Sequence, residues 1–80
     1  MSIYGVDMKL RIRELREKHN YTQKKIADFL ICDQSLYSKY EREEREIPLH
    51  LIILLADLYK VDIDYIVGRK KDNKEIKYEK

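Results

Sequence analysis

Residues 22–42 read TQKKIADFLICDQSLYSKYER, and this stretch decides the fold of the chain. Thr22 and Asp33 are favoured N-cap residues, and they predict one helix over residues 23–30 and a second over residues 34–42. Only Ile31, Cys32 and the cap residue Asp33 separate the two predicted helices. Because the connection is so short, the helices must cross steeply and share one small core.

Apolar side chains recur at the positions that such a helix pair would bury. Ala27 is the most informative of them, because a small side chain there lets the next helix approach closely. The arrangement is that of a helix-turn-helix, whose second helix enters the major groove of DNA. The residues expected in the shared core are Ile26, Ala27, Leu30, Cys32, Tyr37 and Tyr40.

Three further helices are predicted around this pair, which makes the chain a compact all-α domain of five short helices. Pro48 fits the first turn of one of them, and Gly68 fits the C-terminal stop of the last. The predicted bounds are 8–18, capped by Asp7, then 48 to 59 or 60, and 63–67, capped by Asp62. The chain then divides into an N-terminal arm over residues 1–7, the domain over residues 8–68, and a charged tail over residues 69–80.

Composition excludes several classes of protein. The 80 residues are 44% hydrophobic and 40% charged with two Gly and one Pro, which is typical of a helical domain and not of a β-sandwich or a disordered chain. The longest apolar run, Leu51 to Ala56, is far shorter than the roughly 20 residues that span a bilayer. The first residues lack the features of a signal peptide, so we expect a cytoplasmic protein with no membrane partner.

No chemistry beyond binding is indicated by the reactive side chains. The single cysteine, Cys32, cannot form an internal disulfide, and we expect it to be a small buried residue of the turn. His19 and His50 lie in different segments, with no nucleophile–base pair and no Gly-rich phosphate loop. The sequence therefore predicts no enzyme, no metal, no cofactor and no small-molecule effector.

The net charge of +2 is unevenly distributed along the chain. Residues 1–40 carry a net +3, residues 41–68 carry −4, and residues 69–80 carry +3 again. A basic first half can offer a face to a polyanion while the acidic second half lies elsewhere. Solvated helix faces would give the same pattern, so the function has to be inferred from particular positions.

With these elements in place, the sequence resembles the phage Cro/repressor-type (XRE-like) helix-turn-helix family over about three quarters of its length, residues 9–69. The resemblance implies a five-helix lambda-repressor-like DNA-binding domain. It also implies a sequence-specific transcriptional regulator of the repressor kind, with double-stranded DNA as its partner. The motifs that carry it are IRELRE (12–17), YTQ (21–23), IADFL (26–30), Ser35, YSKYER (37–42), IPL (47–49), LAD (55–57) and VDIDYIVGR (61–69).

The resemblance also implies roles for the polar residues of the helix pair. Gln23 would bind a DNA phosphate, together with the N-terminus of its helix. Gln34 would pair with an adenine edge, and Lys39 would reach guanine or a phosphate. The full set of expected DNA contacts is Gln23, Gln34, Ser35, Ser38, Lys39, Arg42 and Arg45.

Arg16 and Glu41 match a pair that in this family forms a buried ion pair between the first and third helices. Removing one partner of a buried pair leaves an uncompensated charge and costs about 3–5 kcal/mol of stability. The expected role of Arg16 and Glu41 is therefore structural, because the pair would fix the recognition helix against the rest of the domain.

The chain departs from the family pattern at two positions where glycine is common, Ile31 and Glu43. A β-branched residue tolerates a left-handed conformation poorly, so the turn at Ile31 is either strained or slightly different in geometry. Glu43 places a negative charge near the expected phosphate path. That charge could weaken DNA binding or redirect Arg42 and Arg45, the two residues placed nearest to phosphates.

The predicted fourth helix is apolar over roughly 260° of its circumference, whereas a surface helix needs an apolar stripe of about 100°. Leu51, Leu54 and Leu58 form a second stripe beyond the core-facing one, and this stripe predicts a symmetric homodimer. Two recognition helices about 34 Å apart would then read an inverted repeat. An exposed patch without a partner is the alternative. The face assigned to the core is Ile52, Leu55, Ala56 and Tyr59.

A second function fits the same scaffold, namely an antitoxin-like or adaptor module that holds another protein. The polar residues at the start of the recognition helix favour DNA binding, because an adaptor would present a smoother or more acidic face there.

Overall fold

The computed structural model of the protein describes residues 9–69, and within them it contains five helices and no strand. The fold class predicted from the sequence is therefore confirmed. The predicted arm over residues 1–7 and the tail beyond Arg69 lie outside the described residues. The helices are α1 (Ile12–Lys18), α2 (Gln23–Leu30), α3 (Gln34–Glu41), α4 (Leu49–Tyr59) and α5 (Ile63–Ile66).

All five helices meet in one apolar core. The five largest side chains that are completely buried come one from each helix, in the order Ile12, Ile26, Tyr37, Leu55 and Ile66. Every helix is thus anchored by burial, which stabilises by roughly 1.5–3 kcal/mol for each large apolar side chain. Around these five lie the remaining buried residues Leu15, Ala27, Leu30, Tyr40, Ile47, Leu51, Ile52, Ala56 and Tyr59.

The helix pair α2–α3 has the predicted caps and, to within one residue, the predicted bounds. Thr22 Oγ1 accepts a hydrogen bond from the Lys25 amide at 3.0 Å. Asp33 Oδ2 accepts from the Ser35 amide at 2.9 Å, and the Leu36 amide lies 3.3 Å away. Each cap satisfies backbone donors that have no partner within the first turn of a helix, so the two helix starts are set locally by sequence.

The turn between α2 and α3 adopts the strained alternative. Ile31 has φ 56° and ψ 50°, which is the left-handed conformation. The Cys32 amide reaches back to the Ala27 carbonyl at 2.9 Å and closes the end of α2. Cys32 is only partly buried and packs against the core, and burial raises the pKa of its thiol.

The start of α1 differs from the expectation. The helix begins at Ile12 rather than Met8, and Asp7, the predicted cap, lies outside the described residues. The reason is a tertiary contact. The Arg11 amide donates to the Ile66 carbonyl at 2.8 Å, and Arg11 Nη1 donates to the Tyr65 carbonyl at 2.6 Å. The segment before α1 is held along α5 by these bonds and does not continue the helix.

The second half of the chain shows three smaller differences. Pro48 is the N-cap of α4, with extended backbone at ψ 148°, so the helix begins one residue later than predicted. Asp62 stands at the N-cap of α5 but makes no capping hydrogen bond with its side chain. α5 ends at Ile66, one residue early. Gly68 adopts φ +86°, and a Cβ there would lie 2.5 Å from the backbone oxygen of Lys9.

Candidate nucleic-acid interface

One side of α3 is buried and the other is open to solvent. Tyr37 and Tyr40 point into the core, with 0% and 6% of their surface exposed. The opposite side of the helix carries polar side chains, which together we call the α3 ridge. Its members are Gln34 and Ser35, both exposed, Ser38 and Lys39, both partly exposed, and Arg42, exposed at the C-cap.

An ion-pair network fixes α3 against α1. Arg16 Nε lies 2.6 Å from Glu41 Oε2, and Arg16 Nη2 lies 3.2 Å from Glu41 Oε1. Arg16 Nη1 also donates to the Tyr21 carbonyl at 2.8 Å. The side chains of Arg16 and Glu41 are 12% and 2% exposed. A planar guanidinium bound at two points to a nearly buried carboxylate holds α3 in a single orientation.

Glu41 remains ionised in this setting. Burial alone would raise the pKa of its carboxyl, but the hydrogen bonds from Arg16 and Gln23 and the charge of Arg16 outweigh burial and keep that pKa below its usual range. The pKa of Arg16 is raised, chiefly by its hydrogen bond to Glu41. Both charges are therefore present at neutral pH, which is the condition for the network to hold.

Gln23 is brought to this network instead of pointing freely outward. Its Nε2 donates to Glu41 Oε1 at 3.0 Å, and the residue is partly buried at the first position of α2. A primary amide carries two N–H donors, and the bond to Glu41 uses one of them. The second donor, together with the N-terminal amides of α2, is suited to an anion such as phosphate.

The end of the α3 ridge has an acidic neighbour that was not predicted from the sequence. Arg42 Nε lies 3.0 Å from Glu44 Oε2, Arg42 Nη2 lies 3.1 Å from Glu44 Oε1, and Arg42 Nη1 donates to Ser38 Oγ. The hydrogen bond from Arg42 lowers the pKa of the Glu44 carboxyl. Glu43 instead occupies a left-handed backbone position at φ 59°, and Arg45 is exposed in the loop that follows.

The apolar surface of α4 is arranged differently from the predicted stripe. Leu51 is 7% exposed and belongs to the core, so its assignment to an interface is wrong. Leu58 is half-buried against the core, whereas Leu54 is 40% exposed. The predicted stripe omits other exposed apolar side chains of α4 and α5. Two of them, Leu49 and Ile53, stand at i, i+4 spacing and could have been found as one face of the helix. The large apolar side chains of these two helices that are exposed are Leu49, Ile53, Leu54 and Ile63.

The titratable groups of residues 9–69 form no cluster of three or more that could hold a metal ion. His19 packs against aromatic rings, with its centroid 5.9 Å from that of Tyr21 and 4.9 Å from that of Tyr59. His50 is exposed on α4. Within the same described range, no helix has the length and apolarity needed to cross a membrane.

Comparison with known proteins agrees with this geometry. A family model described as Helix-turn-helix (HTH_3) matches residues 12–66. The chain is 39% identical over 62 residues to the uncharacterized HTH-type transcriptional regulator YobD of Bacillus subtilis (strain 168), and the match covers 78% of this chain and 55% of YobD. No solved structure matches the chain significantly.

Two further relatives come from the same organism. The chain is 35% identical over 65 residues to the HTH-type transcriptional regulator ImmR, covering 81% of this chain and 51% of ImmR. It is 38% identical over 61 residues to the HTH-type transcriptional regulator AnsR, covering 76% of this chain and 53% of AnsR. The chain thus spans about half the length of the curated relatives that it matches.

Proposed function

This chain belongs to the helix-turn-helix family of the XRE/Cro-C1 type, and we propose that it is a sequence-specific DNA-binding transcriptional regulator, acting in the cytoplasm as a repressor. Its action requires binding and no catalysis. The partner is double-stranded DNA, and the reading element is α3, placed in the major groove. The relatives' names support the regulatory role, because each is an HTH-type transcriptional regulator.

The observation that carries the proposal is the α3 ridge on a fixed scaffold. Gln34, Ser35 and Lys39 offer amide, hydroxyl and ammonium groups toward solvent. These groups match the donors and acceptors that base edges present in the major groove. The Arg16–Glu41 network and the buried Tyr37 hold the ridge in place, so that little ordering is left to be done on binding.

The decisive experiment is selection of bound sequences from a random DNA pool, followed by measurement of affinity for the selected site. We expect a defined half-site. Gln34→Ala should then weaken binding to that site by about 1–3 kcal/mol and relax the preference at one base position. Asn20→Gly, an exposed and uncharged change at a left-handed position outside α3, α4 and α5, is the matched control and should leave both properties unchanged. Equal binding to all sequences, or no binding at low salt, would refute the proposal and favour a protein-binding module.

We further propose that the protein binds DNA as a symmetric homodimer. The support is the exposure of four large apolar side chains on α4 and α5, namely Leu49, Ile53, Leu54 and Ile63. Exposed apolar patches on small domains mark interaction sites, and a two-fold axis through such a patch pairs it with itself. A homodimer of this kind reads an inverted repeat with half-sites one helical turn apart.

A further inference from the structure

Arg42 is the residue of the α3 ridge whose charge is already bound within the protein. Its guanidinium makes two parallel contacts with the Glu44 carboxylate, at 3.0 Å and 3.1 Å, and a third with the Ser38 hydroxyl. A carboxylate in this geometry occupies the same edge of the guanidinium that a phosphate would use, because both anions bind arginine through two oxygens.

The backbone places Glu44 at this point. The Glu43 amide donates to the Tyr40 carbonyl at 3.1 Å, and the Glu44 amide donates to the Lys39 carbonyl at 2.9 Å. Glu43 takes the left-handed conformation between these two bonds, and the chain turns back so that Glu44 faces the last turn of α3. The pairing of Glu44 with Arg42 therefore follows from the way the helix ends.

We infer that Glu44 acts as an internal competitor of DNA phosphate for Arg42. This inference rests on the proposed DNA-binding function and assigns Glu44 a positioning role within it. DNA gains the charge of Arg42 only when a phosphate displaces Glu44. Because that exchange involves no base, Glu44 lowers the affinity for every DNA sequence by the same factor and leaves the sequence preference unchanged.

The test compares two variants that change the net charge equally. Glu44→Gln removes the competing carboxylate, whereas Glu46→Gln removes an exposed carboxylate two residues further along. Exposed ion pairs are weak, so we expect Glu44→Gln to tighten binding about two- to fivefold on the selected site and on random DNA alike. The plot of log K against log salt should steepen by up to about 0.9, the full value for a phosphate contact that the parent does not make. Glu46→Gln should do neither.

A double-mutant cycle makes the inference specific to Arg42. In an Arg42→Ala background, Glu44→Gln should increase the DNA affinity no more than Glu46→Gln does. Persistence of the gain in that background would show a general charge effect and overturn the inference. It would also be overturned by equal effects of Glu44→Gln and Glu46→Gln, or by a gain confined to the selected site. A parent protein that binds no DNA would refute the proposed function itself, which is a different result from equal effects of the two variants in a protein that binds.

Discussion

Ile31 holds the left-handed backbone conformation at the centre of the α2–α3 turn, with 92% of its surface exposed. A non-glycine residue pays roughly 1–2 kcal/mol for this conformation. The side chain makes no compensating burial at that exposure. The turn is therefore strained, because the left-handed backbone disfavours Ile31 and no packing contact of its side chain offsets that cost.

Replacing Ile31 by glycine should stabilise the domain. Relief of the backbone strain outweighs the greater freedom of glycine in the unfolded chain, and we expect a gain of about 0.5–1 kcal/mol in the free energy of unfolding. Urea denaturation followed by circular dichroism measures it. Ile31→Val keeps the β-branch and should change stability little. If glycine proved no more stable than valine, the turn would not be strained.

Glu41 makes the stability of the domain vary with pH in the acid range, because folding lowers the pKa of its carboxyl. Such a group adds stability above its unfolded pKa, about 4.3, and that stability is lost as the pH falls through the lower folded value. Glu41→Gln should therefore be about 3 kcal/mol less stable than the parent at pH 7, since it leaves Arg16 without a counter-charge. The difference should shrink as the pH approaches about 3.

Chemical denaturation at several pH values measures this effect. The exposed Glu14→Gln, also a neutralised acid, should stay within about 0.5 kcal/mol of the parent throughout. A constant deficit of the Glu41 variant from pH 7 to pH 3 would contradict the role of its ionised carboxylate.

At the scale of elements, the sequence predicted what is local and missed what is tertiary. The starts of α2 and α3 could be predicted because Thr22 and Asp33 bond to amides only two or three residues away. The start of α1 could not, because the amide of Arg11 donates to an α5 carbonyl more than 50 residues further along the chain. Local propensity contains no information about such a bond.

The same distinction applies to the candidate interface. Helical geometry was enough to place Ser35 and Arg42 opposite Tyr37. It could not say that Leu51 lies inside and Ile53 outside, because both stand on a helix that is apolar nearly all round, and only the docking of α4 selects between them. The pairing of Arg42 with Glu44 depends on the turn after α3, which the sequence pattern does not define.

Gly68, just after α5, packs closely against the segment before α1. Its φ of +86° and the 2.5 Å separation between an added Cβ and the Lys9 backbone oxygen leave no room for a side chain. Gly68→Ala should destabilise by at least about 2 kcal/mol, the sum of backbone strain and the shift of the Lys9 segment. Thermal unfolding measures it. Asn20→Ala, at φ 59° and exposed, is the control for strain without a clash and should cost less.

For the whole molecule, the exposed apolar side chains on α4 and α5 predict concentration-dependent association. Leu54→Asp should weaken the homodimer at least about tenfold, because it would bury an unpaired charge in the proposed interface. Sedimentation velocity across micromolar concentrations measures this. Phe29→Asp is the matched control, since Phe29 is 43% exposed against 40% for Leu54 but lies on α2. A parent protein that stays monomeric both alone and on DNA would rule out the dimer.

The segment before α1 and the residues after α5 lie against each other, through the Arg11 amide bonded to Ile66 and through Gly68 seated on Lys9. A linker of a few residues could therefore connect position 69 to position 9. The chain could then begin at a different helix and keep the same arrangement of helices. A circular permutant that opens in the exposed 43–46 loop should build the same core, since chain ends that lie close together tolerate this rearrangement. Its new chain ends would lie beside the α3 ridge. A domain fused to either end would therefore be held close to the DNA that α3 is proposed to bind.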